Sequence, residues 1–389
     1  DKVLDGKEVL LEGNLASSSR AALSTLFKSL SVVSLNKGAV YLGQVLNSFN
    51  TFLAPFVAGA SFTELKQLAR LLFFNVRENV LARGSFPLLT IELDVGLPLD
   101  LKKSGIKELG NFSEYLDDAK EFAKAILLIM DEQISEYFYQ PQVVLRFNEF
   151  DEELVELASS LASSKGLVYF TKEKEPYLAN GAKINEAVNI QTVSLNLPRL
   201  ALLAKGSDPR LLDLLGERLE LARQAMMVKQ ELLEGEDLKV NGEEPVLEGK
   251  GKTIALIGLN EMVRAHTGSS IHEDEDSFKF AVKFLKDAQK RVKELGEGYQ
   301  LSQDTNYLVS RWFASNDRDH FGWDSLTALG DKARPFYSTS LVEMSSSLPV
   351  TERTRLEGAL QKLLDGGHLL EIHLSSKKPS IPSVKELIK

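Results

Sequence analysis

The stretch Val188-Asn-Ile-Gln-Thr-Val-Ser-Leu-Asn-Leu-Pro-Arg-Leu-Ala201 decides the fold class. Val188, Ile190, Val193 and Leu195 alternate with Asn189, Gln191, Ser194 and Asn196, with one slip at Thr192, which is the pattern of a strand carrying a bulge. Pro198 has no backbone donor, so the strand stops near Asn196. A helical run begins at Asp208-Pro209, where Asp suits an N-cap and Pro a first helical position. The segment 188–196 is therefore expected to be a buried central strand. Its C-terminal end presents Asn196 and Arg199, at the place where ligands sit in α/β proteins.

Working outward, strands separated by helical segments recur along the chain and argue for a parallel α/β architecture. Strand patterning covers 88–95, 142–147, 167–170, 252–257, 299–302, 336–340 and 369–374. Helical patterning covers 40–56 up to Pro55, 62–74, 111–135, 152–164, 209–233, 259–266, 273–295 and 352–365. The helix from Asn111 is the cleanest: Phe112, Tyr115, Leu116, Ala119, Phe122, Ala123, Ile126, Leu127 and Met130 recur at three- and four-residue steps. Asn111 followed by Glu114 predicts a capped start. The stretch 303–335 reads as irregular, and 234–250 as a polar surface loop. Residues 1–38 read as a short N-terminal helical segment, and 39–389 as one large domain with no internal repeat or linker.

Composition narrows the function classes. A net charge of −9 argues against duplex DNA or an anionic membrane as a general partner. No apolar run approaches the roughly 20 residues that span a bilayer, and Asp1-Lys-Val-Leu-Asp-Gly-Lys-Glu8 does not read as a signal peptide. A cytoplasmic protein is expected. The count of cysteines is zero, which removes disulfides, thiolate metal sites, iron–sulfur clusters and thiyl radicals together.

Thr192-Val-Ser-Leu-Asn-Leu-Pro-Arg199 resembles the signature strand of the anaerobic (class III) ribonucleotide reductases, which are glycyl-radical enzymes. Further motifs follow in that family's order: Phe52-Leu-Ala-Pro-Phe56, Phe74-Asn75 through Arg83, Phe86-Pro87 and Thr90-Ile-Glu-Leu-Asp94, then Gly258-Leu-Asn-Glu261 with Thr267-Gly268 and His272-Glu-Asp-Glu275. Pro335-Phe-Tyr-Ser-Thr-Ser340, Leu348-Pro349 and Asp365-Gly-Gly-His368 complete the series, so the resemblance spans residues 40 to 375. It implies a single ten-stranded α/β barrel of the glycyl-radical enzyme type, built of two half-barrels. The sequence itself shows about eight strand segments, so one or two would be irregular.

The resemblance also implies chemistry that this chain does not carry. The family's thiyl-radical cysteine lies just upstream of the signature strand, where this chain reads Tyr169-Phe-Thr-Lys-Glu-Lys-Glu-Pro-Tyr-Leu-Ala-Asn-Gly-Ala-Lys-Ile184. An acidic strand of the family corresponds to Leu301-Ser-Gln-Asp-Thr-Asn306, where Asp304 is the nearest acid. The family continues past this chain's last residues into a cysteine-ligated zinc element and a glycyl-radical loop, whereas Gly366-Gly367 reads as a helix cap. Near the family's substrate phosphates, Ser338, Thr339 and Ser340 keep three hydroxyls. Residual phosphate or nucleotide binding is therefore assigned to Asn196, Arg199, Ser338, Thr339 and Ser340. The bland alternative is a hydroxyl-rich strand end that satisfies its own backbone.

Other motifs have structural explanations. His272-Glu-Asp-Glu-Asp276 suits the acidic first turn of a helix better than a metal site, and His266 suits a last turn. Asp319-His320 before Phe321-Gly-Trp323 suits a loop packed by aromatics, and neither His368 nor His373 has a candidate nucleophile beside it. Gly249-Lys-Gly-Lys-Thr253 lacks the first glycine of a phosphate loop (Val246 stands there) and precedes a strand.

The expectation is thus a non-catalytic paralogue acting as a scaffold or assembly protein, with no catalytic residue, cofactor or metal. A nucleotide-binding regulator responsive to nucleoside triphosphates is the first alternative. A working reductase whose cysteines were substituted, or whose tail is missing, is the second. A homodimer or larger self-assembly is expected, because the family region matching helix 111–135 lies at a dimer interface. No macromolecular partner is named by the sequence.

Overall fold

The structure, a computed structural model, describes residues 44–81, 89–99, 101–106, 109–133, 142–147, 149–165, 168–172, 189–234, 251–343 and 348–372. Expectations for 1–38, for most of the 169–184 stretch and for 234–250 fall largely outside them. The described residues fall into two compact units, 44–172 and 189–372.

The first unit holds a parallel sheet of β1 (Gln44–Leu46), β2 (Leu89–Val95), β5 (Gln142–Phe147) and β6 (Val168–Thr171), in the order β1-β2-β5-β6. A two-residue-per-strand hairpin, β3 (Gly105–Ile106) and β4 (Gly110–Asn111), lies between β2 and β5 in the chain. Ile91, Leu93 and Val95 of β2 enter the apolar core, while Thr90, Glu92 and Asp94 alternate with them and are buried as well. Helices α1 (Phe49–Val57), α2 (Phe62–Leu81), α3 (Leu116–Gln133) and α4 (Glu152–Lys165) supply the rest. The predicted helix 40–56 is corrected at both ends: residues 44–46 are a strand, and α1 continues through Pro55.

The clean stripe of helix 111–135 is where the sequence places it. A 3-10 turn (Phe112–Tyr115) opens it, with the Asn111 amide donating to Glu114 at 3.1 Å, and α3 follows. Ala119, Phe122, Ala123, Ile126, Leu127 and Met130 are all buried in this unit's own core. The stripe is thus consumed by packing inside the unit, as is usual for an amphipathic helix. Its charged residues pair separately: Lys120 with Asp151, Lys124 with Glu121 and Glu153, and Glu132 with Lys66 and Arg70.

In the second unit, β7 (Asn189–Asn196), β8 (Gly251–Ile257) and β9 (Tyr299–Gln303) form a parallel sheet in that order, with a register shift at Asn189/Gln191. Among these strands the central one is β8, not 188–196 as expected. All seven residues of β8 are buried, whereas Gln191, Thr192, Val193 and Ser194 are half-buried. The sequence shows 252–257 as a strand, but the polar Lys252 and Thr253 conceal its central, fully buried place. In the fold, Thr253 accepts from Gln300 at 2.8 Å and the Lys252 ammonium lies over the Tyr299 ring.

Pro198 does more than end β7. It sits in the first turn of α5 (Leu197–Ala204), which the sequence reading missed, before α6 (Asp208–Glu234). After β8 come α7 (Leu259–Thr267), capped by Gly268, and α8 (Glu275–Glu294), capped by Asp274. The stretch read as irregular contains α9 (Tyr307–Phe321), with Asn306 as N-cap and Gly322 as C-cap, so Asp319 and His320 end a helix. A hairpin of β10 (Leu329–Asp331) and β11 (Arg334–Phe336) follows, and then α10 (Val350–Gln361).

The predicted strands 336–340 and 369–374 are also corrected. Beyond Phe336 the chain makes single bonds in place of a ladder, such as the Gly258 amide to the Ser338 carbonyl at 3.1 Å. Residues 366–369 run beside β9, but the Leu369 amide is taken by the Gln303 side chain at 3.1 Å. The α/β class therefore holds in two parallel sheets, and a closed ten-stranded barrel is not formed by the described strands of either unit.

Candidate functional site

The C-terminal ends of β7 and β8 carry the polar residues singled out in the sequence. Asn196, the last residue of β7, caps α5 by accepting from the Arg199 amide at 3.1 Å. Its side-chain amide donates to Asp317 at 2.8 Å, and the Arg199 Nε donates to the same carboxylate at 2.5 Å. The Tyr337 hydroxyl adds a third bond at 2.7 Å. Asp317 is 0% exposed on α9, and burial, reinforced by Asp317, pushes the Tyr337 phenol well above its usual range. Asn196 and Arg199 are thus joined through an acid that sequence reasoning did not find. Arg199 keeps 37% of its side chain exposed, and among the described residues its guanidinium bonds only Asp317.

The turn after β8 lies against the turn after β7. Gly258 has φ 77°, and a Cβ there would lie 2.5 Å from the Pro198 ring, so glycine is required on both counts. Three residues on, Glu261 is fully buried in the first turn of α7, where its Oε1 accepts from the Ser338 hydroxyl at 2.6 Å. Burial pushes its carboxyl up to about 7, and the nearby Glu343 adds to the rise. Asp304, the acid noted in the sequence, accepts from Ser194 of β7, and burial raises its pKa.

The three hydroxyls are likewise engaged. Ser338 donates to Glu261, Thr339 to Glu371 at 3.3 Å and Ser340 to the Val342 carbonyl at 2.6 Å, and all three side chains are buried. The structure brings Asn196 and Arg199 together on Asp317 and places Ser338 one residue from Tyr337, which bonds the same carboxylate. It does not gather the three hydroxyls around one open point.

The remaining motifs take structural roles. Asp274 of the His272–Asp276 run caps α8 through the Asp276 and Ser277 amides. Among the described residues no group of three His, Asp or Glu is arranged to hold a metal ion. His266 bonds Asp208 at 2.8 Å, which lowers that carboxyl, and His368 bonds the buried Glu357 at 2.8 Å. In the first unit, Arg146 is 4% exposed and lies 3.1 Å from Glu92 and 2.7 Å from Asp94, while Thr51 donates to Asp94 at 2.7 Å. This second polar cluster includes the acids of Thr90-Ile-Glu-Leu-Asp94.

A family model described as "Anaerobic ribonucleoside-triphosphate reductase" matches residues 10–389. The chain belongs to that family. Among curated reductases, the anaerobic ribonucleoside-triphosphate reductase of Escherichia coli (strain K12) is 26% identical over 216 residues, which cover 49% of this chain and 30% of that protein. That of Salmonella typhimurium is 26% identical over 219 residues, again 30% of its length. The match therefore spans less than a third of either curated relative. Among solved structures, an anaerobic ribonucleotide reductase superposes with a TM-score of 0.78 at 15% identity, covering 100% of this chain and 67% of that one. The Thermotoga maritima reductase in complex with dATP and CTP gives 0.75 at 16%, covering 100% and 70%. At such identities these structures show that this reductase-family chain shares the fold.

Proposed function

We propose that this member of the anaerobic reductase family is non-catalytic and acts as a structural or assembly protein in the cytoplasm. The observation that carries this reading is the cysteine count of zero over 389 residues. A family chemistry that runs through a thiyl radical finds no thiol in these 389 residues to carry it, and neither methionine thioethers nor hydroxyl oxygens replace it. The polar strand ends fit the same reading, because Ser194, Ser338, Thr339 and Ser340 are bonded within the protein. The fold reading is one ten-stranded barrel domain over 39–389. Its support is the likeness to solved reductases and the two parallel sheets, each with an apolar, helix-packed face.

A nucleotide-responsive regulator is the second reading. It is favoured by the Arg199 guanidinium, which Asp317 orients through Nε while its outer nitrogens bond no other described residue, and by the dATP and CTP held by the Thermotoga maritima relative. Thermal melts with a panel of nucleoside triphosphates separate the two. A site filled to one hundred times its dissociation constant stabilises a fold by about 2.7 kcal/mol. The scaffold reading predicts no shift with any triphosphate, and a clear shift would reject it. The third reading, a working reductase with substituted cysteines or a missing tail, is tested by sequencing the gene: a cysteine codon in 170–188 would restore it.

Self-association is part of the scaffold proposal, on a surface other than the buried stripe of α3. Light scattering at micromolar concentration is expected to give particles larger than the 43.1 kDa chain. A strictly monomeric solution would remove the assembly role.

A further inference from the structure

We propose that the exposed faces of α6 and α8 form one self-complementary surface, on which a second copy of this chain docks. This rests on the self-association reading above and names the face that carries it. The two helices lie side by side and parallel. Asp208 pairs with Lys283 at 3.6 Å, and about two turns further along each helix a Cβ at Gly216 would stand 3.1 Å from the Arg291 guanidinium. Their inner sides are spent on the core, where Leu211, Leu215 and Met226 of α6 and Phe284, Leu285 and Val292 of α8 are buried.

What points outward is opposite in sign on the two helices. On α8, Lys283, Lys286, Lys290 and Lys293 recur at three- and four-residue steps, which sets them on one face, and all four are exposed. On α6, Asp213 and Glu217 are exposed one turn apart, and the same face continues into the exposed Leu221, Val228 and Leu232. These charges are only loosely engaged within their own copy. Lys283, Lys290 and Lys293 reach Asp208, Glu294 and Asp365 at 3.6–3.9 Å, and Glu217 pairs with Arg210 at 3.1 Å. Pairs so open to solvent contribute little and are free to rearrange. Among the described residues Asp213 and Lys286 form no ion pair.

The register of the two rows selects the occupant. Asp213 lies between the two helix contacts, level with Lys286 and Lys290, and Glu217 lies level with Lys290 and Lys293. A two-fold axis in the contact plane, parallel to the helices, lays each α6 over the partner's α8 at the same level. Asp213 then meets the partner's Lys286 and Lys290, Glu217 meets the partner's Lys290 and Lys293, and the symmetry makes both contacts twice. Leu221, one turn on from Glu217, comes over the end of the partner's α8. A purely acidic partner would answer the lysines and be repelled by Asp213 and Glu217, and a purely basic one the reverse. A second copy answers both rows at once.

Sedimentation velocity on the full chain and two charge-reversed variants tests this surface. Lys286→Glu with Lys290→Glu turns both faces acidic, and Asp213→Lys with Glu217→Lys turns both basic. Each variant alone is expected to dimerise at least about tenfold more weakly than the parent. An equimolar mixture sets acidic faces on basic ones and should recover the parent's association. The parent's own association should weaken as sodium chloride rises from about 0.05 to about 0.5 M. Variants that associate as tightly as the parent would overturn this face and leave self-association standing. Variants that stay apart both alone and when mixed would overturn the pairing of the two rows. A parent that is monomeric throughout would remove the proposal together with the self-association reading. Should a variant fail to fold, the salt series decides, and association indifferent to salt rejects the proposal.

Discussion

Asp317→Ala is expected to lower the stability of the unit 189–372 by about 2–4 kcal/mol. The carboxylate is fully buried and accepts from Asn196, Arg199 and Tyr337 at once. Its removal leaves the buried Tyr337 hydroxyl and the part-buried Asn196 amide without acceptors, at about 1–3 kcal/mol each. The partly exposed Arg199 can turn to water and adds little. Tyr337→Phe removes one donor and keeps the acceptor satisfied by the others, so about 1 kcal/mol is expected from it. Urea unfolding of the two variants beside the parent measures both. A loss under about 0.5 kcal/mol for Asp317→Ala, the level of an ordinary surface change, would show that the cluster does not hold the strand end.

Arg146→Met in the first unit should cost about 3–5 kcal/mol near neutral pH. The guanidinium sits between Glu92 and Asp94, and all three side chains are almost wholly buried. Without the cation, two like charges remain in a low-dielectric interior, which raises the carboxyl pKa values in the folded variant. A carboxyl raised in the folded state favours folding below that raised value, so the deficit should shrink as pH falls from neutral toward the ordinary carboxylate range. Adding Glu92→Gln should recover part of the loss at neutral pH. A deficit independent of pH and untouched by the second change would mean that Arg146 matters through packing and not through charge.

The two clusters set side by side show how polar chemistry is divided in this chain. Each unit buries charged residues on or beside its sheet and satisfies them locally, through Arg146 in one and Asp317 in the other. Such arrangements specify geometry at some cost in stability.

What the sequence determined by itself is what neighbours within about four residues decide. Asn111 with Glu114 and Gly268 after Thr267 mark helix ends through bonds to adjacent amides, and each is found where the residues place it, whereas Asp274, read as part of the first turn of helix 273–295, is the N-cap of α8. The stripe from Ala119 to Met130 needs only the helical period to be read, and the order of motifs named the family. The tertiary structure decided the rest, because it depends on groups far apart in the chain. Arg199 and Asp317 are separated by 118 positions, and Asp317 lies among Asn316, Arg318 and Asp319, where no period distinguishes a buried acid from exposed ones. The stripe of α3 looked equally fit for a partner or a core, and only its burial in this unit shows which surface it met. The central place of β8 was hidden for the same reason: Lys252 and Thr253 look like surface residues until Tyr299 and Gln300 of the next strand are beside them to take up the ammonium and the hydroxyl.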